Sequence, residues 1–93
     1  MANMAFMARL FDFLKTNKYI YTVRGYDYKE RFVTIEYLGV CKRTKITHVT
    51  NKFDLEEYTP YSGFESTEEW WNQIRVFIKP GQPKILYKVE VPN

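Results

Sequence analysis

Met7, Leu10, Phe11 and Leu14 recur at the i, i+3, i+4, i+7 spacing that gathers apolar side chains on one helix face, with Arg9, Asp12 and Lys15 elsewhere. The pattern predicts a helix over 4–16. Asn3 is placed to cap its start and Asn17 to stop it, because asparagine tolerates the left-handed conformation. A period of two follows over 18–24, rich in aromatic and β-branched residues. As a strand it sets Ile20, Thr22 and Arg24 on one face and Tyr19, Tyr21 and Val23 on the other. Gly25 ends it, and 25–30 reads as a loop. Strands over 31–38 and 40–50 are joined across Gly39, which predicts a hairpin. Along the second, Cys41, Arg43, Lys45, Thr47 and Val49 share a face.

The segment 51–63 has no clear period; Pro60 and Gly63 mark it as a loop, and Asp54, Glu56 and Glu57 make it acidic. Ser66 and Glu69 form a capping box. The helix behind them, to about residue 78, is predicted to bury Trp70, Trp71, Ile74, Phe77 and Ile78. Pro80, Gly81 and Pro83 turn the chain into a last strand over 85–91, where Ile85, Tyr87, Val89 and Val91 alternate with Leu86, Lys88 and Glu90. Helices that do not alternate with strands argue against a doubly wound sheet. The expected fold class is α+β: a small, mostly antiparallel pseudo-barrel sealed by two helices.

The chain's 93 residues make one domain, 1–93. A hydrophobic share of 45% supports a core, and 18% aromatic residues supply rings that pack or stack on bases. The net charge of +3 conceals an uneven split: residues 1–52 carry +6 and residues 53–93 carry −3. A basic half points to an anionic partner such as nucleic acid, or simply to solvated strand faces. The stretch 1–14 is interrupted by Arg9 and Asp12 and has no basic leader, so neither a signal peptide nor a membrane partner is expected. One cysteine, Cys41, fits a reducing compartment, and the expected location is cytoplasmic. No cofactor or metal is expected: the glycines form no phosphate-binding loop, and His48 stands alone as an imidazole ligand.

Three segments, FMARLFDFLKTNKYIYTVR, KITHV, and SGFESTEEWW followed by PGQPKILYKVEV, together resemble the ASCH domains of the PUA-like superfamily. In layout the chain is nearest to the small bacterial acetylcytidine amidohydrolases of that family. The resemblance implies a cleft beside the first strand, 18–24. It implies a catalytic lysine, threonine and glutamate, which hydrolyse the acetyl amide of a modified cytidine. The threonine falls on Thr22. The lysine position falls on Tyr19, with Lys18 adjacent, and the glutamate position falls near Ser62. Tyrosine is a poor substitute for an activated lysine, and serine cannot replace a carboxylate in proton transfer.

The first reading is therefore a binding module for RNA or a modified nucleoside. Tyr19, Thr22, Arg24, Tyr26, Arg43, Lys45 and Ser62 are its candidate contacts. Arg24 competes between a ligand contact and an ion pair with Asp27 or Glu30. The second reading is a deacetylase using Thr22 and Lys18. The third is a small viral or mobile-element factor that docks a protein partner.

Overall fold

The computed structural model describes residues 2–92. The elements run β1 (Ala2–Asn3), α1 (Ala8–Asn17), β2 (Tyr19–Arg24), β3 (Phe32–Ile35), β4 (Gly39–His48), a 3-10 helix (Lys52–Tyr61), α2 (Thr67–Phe77) and β5 (Ile85–Glu90). The strands form one mixed sheet in the order β1-β3-β4-β5-β2. Among the described residues only the β1–β3 pair is parallel, and the other three pairs are antiparallel. The fold is thus α+β, as expected, but the sheet does not close. β1 is two residues long and offers β2 no ladder. At this seam a side chain takes the place of a strand pairing: the Arg24 guanidinium donates to the Ala5 carbonyl at 3.0 Å.

The helical stripe of α1 buries Leu10 and Leu14, while Met7 is 40% exposed. Neither asparagine acts as expected. Asn3 lies in β1, and the residue before α1 is Met7, which makes no side-chain cap. Lys18, not Asn17, takes the left-handed conformation (φ 73°) that stops the helix, and its N–H donates to the Leu14 carbonyl. This turn delivers the chain directly into β2.

β3 and β4 form the predicted hairpin, with Val33 opposite Cys41 and Ile35 opposite Gly39. β3 is shorter than expected. Residues 36–38 make the turn, and Tyr37 adopts a positive φ of 71°, so it leaves the sheet and stands in solvent.

The segment read as a loop is largely a 3-10 helix. Asn51 caps it by accepting from Phe53 N–H, and the Asp54 carboxylate accepts from the backbone N–H groups of Thr50 and Asn51 and the Thr50 hydroxyl. Those bonds hold Asp54 below the usual carboxylate range. Three residues per turn produce no 3.6-residue period, which is why the pattern hid this helix.

At α2, Ser66 accepts from the Glu69 N–H as predicted, but the Glu69 carboxylate takes the Glu65 N–H instead of returning to Ser66. Trp70, Ile74 and Ile78 are buried, Trp71 is half-buried, and Phe77 is 65% exposed at the helix end. Among the described residues no helix is long and apolar enough to cross a membrane.

Candidate functional site

Period two along β2 turns Thr22 and Arg24 to the same side. Both line a cavity of about 640 Å³, a volume typical of small-molecule sites. β5 pairs with β2 along this stretch, with Tyr87 opposite Thr22 and Ile85 opposite Arg24. Phe6, between β1 and α1, supplies one wall; Phe64 and Trp70, with rings stacked at 6.2 Å, supply another.

Thr22 is 7% exposed, and its hydroxyl accepts from Arg24 Nε at 3.3 Å. The Arg24 guanidinium lies 4.7 Å from the centre of the Phe6 ring. The ion pair with Asp27 or Glu30 does not form. Asp27 holds Lys45 at 3.0 Å and Lys29 at 3.6 Å, and Glu30 accepts from Ala2 N–H. Among the described residues Arg24 has no carboxylate partner. Burial draws its pKa below the ordinary range; Tyr28 opposes that shift, and nearby Arg43 adds to it. A sheltered cation answered only by a hydroxyl, a carbonyl and a ring favours an incoming anion or carbonyl oxygen.

The mouth of the cavity is set by the loop after β2. The Tyr87 hydroxyl donates to the Tyr26 carbonyl and accepts from the Tyr28 N–H, each at 2.8 Å. Burial raises the Tyr87 pKa, against the effect of the Tyr28 N–H bond. This pair of hydrogen bonds anchors the loop whose Tyr26 and Tyr28 rings lie 5.1 Å apart and line the cavity. Tyr26 is largely exposed.

Arg43 and Lys45 share a face of β4, as alternation requires, but only Lys45 is partly solvated. Arg43 is 3% exposed; its guanidinium lies 4.1 Å from the Tyr28 ring centre and 5.5 Å from that of Tyr87, and it donates to the Glu30 carbonyl. Solvated strand faces, the alternative account of the basic half, do not describe Arg43, which lies opposite buried Val89 of β5.

Four expected contacts do not line this cavity: Arg43 and Lys45 on β4, and Tyr19 and Ser62. Tyr19 occupies the opposite face of β2, packed against Tyr21 and Tyr61, with the Lys88 ammonium 5.2 Å from its ring. Ser62 is 1% exposed and structural: its hydroxyl donates to the Thr59 carbonyl and accepts from the Phe64 N–H. Ser62→Ala leaves that buried N–H unpaired and is expected to cost about 1–3 kcal/mol in urea unfolding. Lys18 is committed to the turn out of α1, its carbonyl accepting from Val91 N–H.

Among the described residues lining the cavity there is no lysine, histidine, cysteine, aspartate or glutamate. No three metal-ligating side chains gather among the described residues. Cys41 is buried, with its thiol pKa raised by desolvation, and donates weakly to the Gly39 carbonyl.

Comparison with protein-family models, with curated proteins and with solved structures gives no match. The site thus stands on its geometry. Tyr87 and Phe6 were not singled out from the sequence. Tyr87 alternates with core residues and looks like one of them; only the β2–β5 register sets it opposite Thr22. Phe6 precedes the helical stripe and carries no periodic signal of its own.

Proposed function

We propose that this chain is a binding module of the PUA-like, ASCH type, which holds an unstacked base of RNA, or a modified nucleoside, in the cleft beside β2. The observation that carries this reading is the Arg24 guanidinium. It lines a cavity large enough for a base and has no carboxylate partner among the described residues, next to the Thr22 hydroxyl and the paired Tyr26 and Tyr28 rings. Unstacked bases offer a face to aromatic rings and edges to such donors. The sequence resemblance places its Thr-x-Arg strand end at the same two residues. In the open sheet β2 is an edge strand, and Arg24 at its end donates to the Ala5 carbonyl beside the cleft.

The test is the affinity of a fluorescent single-stranded RNA oligonucleotide, measured across salt concentrations. The expected result is binding that weakens as salt rises and falls roughly tenfold or more in Arg24→Ala. No binding at low salt, or binding indifferent to Arg24→Ala, contradicts the proposal.

A further inference from the structure

A second cavity, of about 350 Å³, adjoins the first, and Tyr28 lines both. Its lining is strongly cationic: Lys29, Arg31, Lys42, Arg43 and Lys45 against the single acid Glu30. That carboxylate is already engaged by the Ala2 N–H. Lys29 and Lys45 share Asp27, whereas Arg31, Lys42 and Arg43 form no ion pair among the described residues. Arg43 is the exceptional member. It is 3% exposed, and its Nε is buried with no hydrogen-bond partner among the described residues. Its remaining interactions are the Glu30 carbonyl and the faces of Tyr28 and Tyr87.

A buried guanidinium with an unused donor is costly unless something negative completes it. The planar fork suits the paired oxygens of a phosphate, and Lys45, on the same strand face, adds a second positive charge. Arg31 lies beside them, its carbonyl accepting the Arg43 backbone N–H. A carboxylate-bearing protein surface would meet the same charge, but the confined cavity suits a small, compact anion.

We propose that this cavity is a phosphate site, with Arg43 at its base and Arg31 and Lys45 at its rim. Resting on the nucleoside reading of the adjoining cleft, it makes the preferred ligand a nucleotide, with Tyr28 as the wall between base and phosphate. The phosphate is recognised whether it comes from a nucleotide or from free orthophosphate.

The experiment is a titration of the ¹⁵N-labelled chain followed through arginine Nε–H and backbone amide resonances. Three probes are used separately: inorganic phosphate, cytidine and cytidine 5′-monophosphate. Phosphate and the monophosphate are expected to shift the Arg43 Nε–H saturably. Cytidine is expected to move Thr22 and Arg24 and leave Arg43 in place. The Arg31→Gln/Lys45→Gln double variant, altered at partly exposed positions, is expected to weaken phosphate binding at least tenfold while cytidine binding is retained. An Arg43 Nε–H unmoved by phosphate, or phosphate affinity unchanged in the double variant, overturns the phosphate site. A response to phosphate with none to cytidine instead overturns the base cleft and leaves the phosphate site standing.

Discussion

Gly63→Ala is expected to lower stability by about 2–5 kcal/mol, from two separate causes. Gly63 has φ +84°, a conformation that costs an L-residue about 1–2 kcal/mol. A Cβ there would also stand 2.7 Å from Leu10 Cδ2 and 3.4 Å from Phe13 Cβ, and such overpacking costs about 1–3 kcal/mol. Gly39 separates the two. Its φ is +82°, but nothing lies within 4 Å of the added carbon, so Gly39→Ala carries the backbone cost alone. Urea unfolding of both variants measures the difference. Equal losses would contradict the close approach of the Gly63 turn to α1. That approach places Phe64, and through it Trp70, at the cavity wall.

Leu14→Ala is the second large effect. Leu14 is fully buried in the core, whereas Met7, on the same predicted stripe, is 40% exposed. Removing a buried leucine side chain costs about 2–5 kcal/mol, through lost transfer energy and the cavity left behind. Met7→Ala is expected to cost about 1 kcal/mol or less, since the side chain already meets solvent. Matched unfolding midpoints for the two variants would mean that α1 packs on a different face. The consequence reaches the site, because α1 ends in the Lys18 turn that sets the phase of β2.

That phase was readable from the sequence. Alternation alone assigns Thr22 and Arg24 to one side and Tyr19 to the other, and the sheet obeys it. Placing Tyr19 with Thr22 came from the family resemblance, which aligns positions but does not override a period of two. The hairpin, the Ser66 cap and the buried Trp70–Ile74–Ile78 line were legible for the same local reasons.

Long-range decisions were not legible. β4 carries apolar residues at alternating positions of both parities, Val40 and Ile46 against Cys41, so its sequence does not say which side is buried. The β4–β5 register decides, and it carries Arg43 inward. Ser62 shows the converse. The family resemblance brought the glutamate position near it, yet its hydroxyl is consumed by two backbone groups. The 3-10 helix escaped detection because Pro60, which breaks an α-helix, sits within it.

The central claim is that the cleft beside β2, and no other aromatic surface, receives the base. Zero-length ultraviolet cross-linking of the chain to single-stranded RNA, with adducts located by mass spectrometry, tests it most directly. The account predicts adducts on Tyr26 or Tyr28, at the cavity edge, that disappear in Arg24→Ala. Adducts confined to the Tyr19–Tyr61 face or to exposed Phe32 and Tyr37 would contradict it.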